Sequence, residues 1–370
     1  MKKLLLGMLI VPTVAVQAAD VTPYLLINKE YRSLSQEKSA NMGSSTGITD
    51  VDGFESRIGV KGSMELENDM KASGKIELGV NSNRDNGAGE GTRIRLAQID
   101  LATNFGNITI GQHWNPNTLK MLALDPLTAT GAQLLGLESG DVKGAQGGKF
   151  GMKARYFNDG ITYKTPTFAG FYASLTFDQT NDTLDQDADG DTEKWTTLLA
   201  NYGRAFGENN LNIHLTHAMG NVEGDVTNPL DNDESFTTLG AKFHNKMFGF
   251  SAAYTMESLG EALDATAAKF DNERTYMLLA GWYNINKLTL AVNYGTTKWE
   301  DKSSFGTTGD NKGGEQSQIG LGAIYKLSKN FKTRVLYRMQ KIENKGTTAI
   351  AGTSNKNDAN AIILGATLSL

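Results

Sequence analysis

The last segment of the chain alternates with a period of two. Ile362, Leu364, Ala366, Leu368 and Leu370 are interleaved with Ile363, Gly365, Thr367 and Ser369. The same period runs through Leu288, Leu290, Val292 and Tyr294, and through Ile319, Leu321, Ala323, Tyr325 and Leu327. Phe331, Val335, Tyr337 and Met339 repeat it against Lys332, Arg334, Arg338 and Gln340. Successive side chains of a strand point to opposite faces, so each segment predicts a strand with one apolar face and one polar or small face. Sixteen candidates follow: 21–33, 55–67, 70–82, 92–103, 107–114, 153–165, 170–180, 193–205, 210–220, 234–245, 248–258, 272–285, 288–300, 315–327, 331–344 and 359–370. In a soluble sandwich the apolar face would be core, whereas in a wide membrane barrel it faces lipid and the polar face lines water.

The connections favour the barrel. Seven joints are tight, such as Asn68-Asp69, Asn286-Lys287 and Ser328-Lys329-Asn330, and the eight between them are long and rich in Gly, Asn, Asp and Ser. Strict alternation puts every tight turn on one side and every long loop on the other, as in outer-membrane barrels. A Greek-key sandwich has no cause to keep that order. The expected fold is all-β: a transmembrane antiparallel β-barrel of sixteen strands forming one domain over 19–370. Tyr31, Trp114, Trp195, Trp282, Tyr283 and Trp299 lie towards strand ends, where girdles at the two membrane interfaces would account for them. The stretch from Tyr276 to Trp282 is apolar on both faces, which leaves its facing ambiguous.

The chain start has a different pattern. Lys2 and Lys3 precede an apolar run from Leu4 to Val16, and Val16-Gln17-Ala18 supplies a small-residue cleavage site. Residues 1–18 therefore predict a secretory signal peptide, with a mature chain beginning at Ala19 or Asp20. Beyond it no apolar stretch reaches the roughly 18 residues of a spanning helix, so a membrane destination requires a barrel.

Composition narrows the classes further. The chain has 370 residues with 41 Gly, 6 Pro and no Cys, which removes disulfide scaffolds and thiolate metal sites. Loss of Lys2 and Lys3 leaves 34 basic residues against 41 acidic, a mature charge of −7. That balance lacks the basic footprint of a nucleic-acid binder.

Parity places several charges. In strand 55–67, Ile58, Val60 and Met64 share one face, while Arg57, Gly59, Lys61 and Glu65 share the other. A cation facing lipid at mid-membrane costs about 2–4 kcal/mol, so Arg57 and Lys61 face the water inside. Arg93 and Arg95 share a face in the same way, and Arg155 precedes the strand around Ile161, where simple counting turns it outward. The connection at 115–152 is the longest of the eight, yet it carries Met121, Leu122, Leu124, Leu127, Leu134, Leu135 and Leu137. Such a set packs against something: the lumen is the preferred surface, and a neighbouring subunit is the alternative.

Other chemistry is sparse. His214 and His217 are three apart on a strand and so lie on opposite faces, unable to share a metal. No Gly-x-Ser-x-Gly elbow or phosphate loop is present, and an enzyme is not expected. No cofactor is expected either. Asp185, Asp187 and Asp189, followed by Gly190, copy the start of a calcium loop, but its twelfth position is Thr196 where a bidentate Glu is needed. A weak Ca²⁺ site is one reading of this fourth outer loop. The other is a solvated acidic surface bridged by divalent cations to the phosphates of outer-membrane lipid and lipopolysaccharide.

Three motifs carry a family resemblance. SRIGVKG at 56–62, TRIRLAQIDLATNFGNITIGQ at 92–112 and ITYKTPTFAGF at 161–171 resemble the trimeric general porins of Gram-negative bacteria, as does the opening Val21-Thr22-Pro23-Tyr24. With the strand count, the resemblance spans the mature chain. It departs from the family at Leu370, where Phe is usual, and at Leu26, where a Lys is usual. The resemblance implies a homotrimer in the bacterial outer membrane, exported through the periplasm, that passively admits ions and small hydrophilic solutes. It also implies that the third outer loop enters the lumen, so that Asp125, Glu138 and Asp141 oppose a basic wall of Arg57, Lys61, Arg93, Arg95 and Arg155. Cations and carboxylates across a narrow gap create a transverse field that tests solute charge. Matched charges there and an acidic outer mouth predict weak selectivity leaning to cations. A substrate-specific channel, or a surface adhesin or structural barrel with a closed lumen, is the alternative function.

Overall fold

The computed structural model describes residues 20–37, 45–51, 54–80, 92–134, 157–181, 192–223, 231–263, 269–301, 314–344 and 356–370. The signal segment, Arg155, Glu138, Asp141 and the aspartates at 185, 187 and 189 lie outside them. The first strands are β1 (Asp20–Glu37), β2 (Ser45–Asp50), β3 (Ser56–Glu65), β4 (Lys71–Val80), β5 (Thr92–Thr103) and β6 (Gly106–Trp114). One helix, α1 (Pro116–Leu124), follows, and then β7 (Phe157–Lys164), β8 (Phe171–Asn181), β9 (Thr192–Phe206), β10 (Asn209–Glu223) and β11 (Asp231–His244). The series ends with β12 (Phe248–Leu263), β13 (Lys269–Ile285), β14 (Leu288–Asp301), β15 (Gly314–Lys326), β16 (Phe331–Asn344) and β17 (Lys356–Ser369).

From β3 onward each strand pairs antiparallel with the next, and β17 returns to β1 from Leu26↔Ser369 to Glu37↔Asp358. β2 and β3 both lie along β1, at Lys29–Leu34 and Asp20–Leu26 respectively, so the 17 segments form 16 staves. Between them Phe54 N donates to Val51 O at 2.9 Å, a local fold-back that breaks one stave in two. The tight turns fall where the sequence places them. Asn68 and Asp69 both take positive φ, 58° and 59°, as a two-residue hairpin of matching twist requires, and Asn286 does the same at 55°.

Alternation sorts the two faces of the wall. Ile99, Leu215, Leu239, Val335 and Ile362 are among the exposed outward residues, forming the apolar band that a bilayer covers. Phe105, Phe168, Phe171, Phe206 and Tyr283 are exposed near the tight turns, as an interfacial girdle would be. Three of the four tryptophans expected in the girdle are a correction. Trp195 is buried, Trp114 lies beside Arg95, and Trp282 lies beneath Lys242, all on the inner face. A cation held over a desolvated ring is worth about 2 kcal/mol, which favours the inner position of Trp114 and Trp282, while Trp195 packs into the apolar cluster with Phe236.

The inner face of β13 explains its double apolar pattern. Tyr276 and Leu278 point inward, buried in one cluster with Met121, Leu122, Leu124 and Leu134 of the third long connection. A second cluster joins Leu127 and Ala132 to Ala291, Ile324, Leu336 and Ile363 of the wall. The core of this molecule is the contact between an ingoing loop and half of the inner wall.

Candidate channel constriction

The ingoing segment starts at a capped helix. Asn115 Oδ1 accepts from the amides of Asn117 and Thr118 at 2.9 and 3.3 Å, and Pro116 occupies the first helical position. After α1 the chain turns at Asp125. Its carboxylate accepts from the amides of Leu127 at 2.9 Å and Leu134 at 2.8 Å, and from Asn293 Nδ2 at 2.8 Å.

Wall side chains then hold the backbone in place. Lys242 Nζ donates to Ala123 O at 2.7 Å, and Ser251 Oγ donates to Leu124 O. Asn293 and Gln318 both donate to Ala132 O, at 2.9 and 3.1 Å. Arg338 Nη1 donates to Gly131 O at 2.7 Å, while Gly131 N donates to Glu30 Oε1 at 2.9 Å. Asn28 Nδ2 reaches Ala129 O at 3.1 Å. The loop leaves β6 and is fastened to β11, β12, β14, β15, β16 and β1, so it enters the barrel, as the apolar pattern predicts. Beneath it Arg334 donates through Nε to Glu30 at 2.7 Å, with both side chains fully buried.

Asp125 was expected to face the pore as an acid. The structure corrects this: the residue is 4% exposed and its oxygens close the loop onto itself. Burial pushes its carboxyl above the usual carboxylate range, opposed by the bonds from Asn293, Leu134 and Leu127. Its charge organises the segment and is withdrawn from the water.

A second cluster sits on β3, β4 and β5. Arg95 is fully buried and bridges two carboxylates, Nη1 to Glu55 at 2.7 Å and Nε to Glu77 at 2.9 Å. Arg93 meets Glu55 at 2.7 Å, and Arg57 and Lys75 meet Glu77 at 3.7 and 3.4 Å. Tyr24 donates its hydroxyl to Glu77 at 2.7 Å. A β-bulge makes the cluster possible. Leu78 pairs with Ile94 but Glu77 pairs with Leu96, which leaves Arg95 as the extra residue. Counting strictly back from outward Ile99 would have sent Arg93 and Arg95 into lipid. Gly79 leaves the space they occupy, since a Cβ there would collide with Glu55 and Arg95.

Of the basic residues expected on the wall, Arg57, Arg93 and Arg95 are brought together. Lys61 shares the inward parity of Arg57 but stands exposed outside the cluster. The acids that meet the arginines are Glu55 and Glu77 of the wall itself, which sequence reasoning missed. Glu77 was findable, since it alternates with Ile76 and Leu78, both exposed outward. Arg334 and Arg338 gave the same signal by alternating with Val335 and Tyr337.

A closed barrel with an apolar outer band, a polar lumen and a loop fastened inside it defines a transmembrane channel of the outer-membrane type. The chain belongs to the Gram-negative porin family, whose model matches residues 8–347. It is 26% identical over 348 residues to the major outer membrane protein P.IB of Neisseria sicca, covering 89% of this chain and 91% of that one. To the P.IB protein of Neisseria gonorrhoeae it is 25% identical over 369 residues, covering 96% and 98%. Its fold matches that of an anion-selective porin from Comamonas acidovorans with a TM-score of 0.69 at 18% identity, covering 95% of this chain and all of that one. The protein is an outer-membrane channel for passive diffusion of solutes.

Proposed function

We propose that three copies of this chain assemble as a homotrimer, each barrel passing ions and small hydrophilic solutes between the segment 115–134 and the wall of β3 to β5. The preference proposed is for anions, which reverses the cation lean expected from sequence. The observation that carries it is how four carboxylates beside the ingoing segment and the wall of β3 to β5 are occupied. Glu30, Glu55 and Glu77 each meet an arginine, and Asp125 is buried in the loop. Lys61, Lys120 and Lys164 pair with no carboxylate among the described residues. The rest of the third connection carries Lys143, Lys149, Lys153 and Arg155 against Glu138 and Asp141. Charges at the outer rim act over only about 8–10 Å at ordinary salt, so those nearest the narrow region dominate.

Purified protein in a planar bilayer should give stepwise currents in groups of three, with a reversal potential on the anion side in a KCl gradient. Lys61→Gln and Lys164→Gln should each move it towards zero. A reversal potential on the cation side would refute the charge reading. Absence of conductance from folded, reconstituted protein would favour a closed-lumen barrel.

A further inference from the structure

A row of polar side chains crosses the inner wall at one height. Tyr172 of β8 stands opposite Asn201 of β9, Asn201 opposite His214 of β10, and His214 opposite Gly240 of β11. Asn201 and His214 are 4% and 1% exposed, and Thr216, two residues along on the same face, is fully buried. Asn201 Oδ1, Thr216 Oγ1 and both ring nitrogens of His214 have no hydrogen-bond partner among the described residues. Buried polar atoms are nearly always satisfied, so four orphans in one patch call for an explanation. The wall is shaped around them too, because a Cβ at Gly240 would collide with the His214 ring.

Two cations converge on the same row. Lys164 Nζ lies 4.3 Å and Lys120 Nζ 5.1 Å from the centroid of the Tyr172 ring. Burial and the charge of Lys164 bring the Lys120 ammonium down to about 8. His214 is close enough to feel the Lys120 charge. Like charges that share one ring, with no carboxylate paired to either among the described residues, form half of an ionic site.

We propose that Lys120, Lys164, Tyr172, Asn201 and His214 bind a small hydroxylated anion, of the sugar-phosphate or hydroxycarboxylate class, on its way through the barrel. The inference rests on the reading of the barrel as a diffusion channel. The two ammonium groups take the anionic head, and the Tyr172 ring offers its face to C–H groups. The flexible stem of Lys120, on α1, is the movable cover over the buried row. Behind it Asn201 Oδ1 and one nitrogen of His214 accept from solute hydroxyls, while the other His214 nitrogen donates. Inorganic phosphate would satisfy the lysines but not the row.

The test uses the full-length trimer in planar bilayers and, independently, calorimetry on the detergent-folded protein. Glucose 6-phosphate should interrupt the KCl current in a concentration-dependent way, and glucose should not. The double variant Lys120→Gln/Lys164→Gln, with its β-sheet content checked by circular dichroism, should need at least tenfold more glucose 6-phosphate for half-block and for half-saturation. His214→Ala should weaken glucose 6-phosphate severalfold and leave inorganic phosphate unchanged. Equal affinity of the wild type and a folded double variant would overturn the site. Equal weakening of both ligands by His214→Ala would overturn the hydroxyl contacts. A wild type that conducts no KCl yet binds glucose 6-phosphate would refute the channel and keep the site.

Discussion

Arg95 and Arg57 are both arginines on the inner wall, but they differ in what surrounds them. Arg95 is fully buried between Glu55 and Glu77, so Arg95→Ala would remove the cation that joins them and leave Glu55 to Arg93 alone and Glu77 to Arg57, Lys75 and Tyr24. Loss of one partner of a buried pair costs about 3–5 kcal/mol when the other charge is left bare, and the remaining partners here hold the loss near the lower end, about 3 kcal/mol. Arg57 is partly exposed and shares Glu77 with Tyr24, Lys75 and Arg95, so its removal should cost about 1 kcal/mol or less. Urea unfolding of the two variants in detergent checks the contrast, and equal losses would contradict the burial of Arg95. Lys120 gives a prediction in pH. It faces Lys164, Tyr172 and His214, and its ammonium titrates near 8. Above that value it is neutral, so anion preference should fall between pH 7 and 9. Reversal potentials across that range should show the step in wild type and lose it in Lys120→Gln.

The ingoing segment behaves as an element even though only α1 is regular. Its position depends on side chains donated by the wall, with Asn293, Gln318 and Arg338 reaching the carbonyls of Gly131, Ala132 and Gln133. Combined Asn293→Ala and Arg338→Ala should release it from β14 and β16. Single-channel recordings should then show larger and noisier steps, whereas steps identical to wild type would mean the segment does not narrow the path. That this loop goes inward was legible from its leucines, because water-facing loops do not carry such a run. What holds it was not. Asn293 and Gln318 look like ordinary lumen polars in sequence, and Asp125 looks like a free acid. Their roles depend on cross-barrel contacts between residues more than 150 positions apart. The bulge at Arg95 was likewise hidden, since parity has no memory across an inserted residue.

The strand order and the long-short rhythm were readable because lipid and water impose opposite demands on alternate residues. That contrast offers a test of the whole barrel in a background without cysteine. Cys at Val292 or Leu364 should react only with lipid-soluble thiol reagents, and Cys at Lys61 with charged ones. Cys at Asn293 or Thr367, inward but buried under the loop or against Arg334, should resist both kinds. Charged reagent reaching Val292 would invert the assigned faces. The seam where β1 meets β17 has a further consequence. Leu25 and Leu370 exchange both backbone hydrogen bonds, so the first strand of the barrel to be made is completed only when residue 370, at the far end of its last stave, has been made. Bringing together chain ends some 345 positions apart costs about 5 kcal/mol in chain entropy. Until that contact forms, β1 has a bare edge, open to pairing with any other chain. Birth order and closure order run opposite ways, and the strand made first is the one that waits longest for its second neighbour.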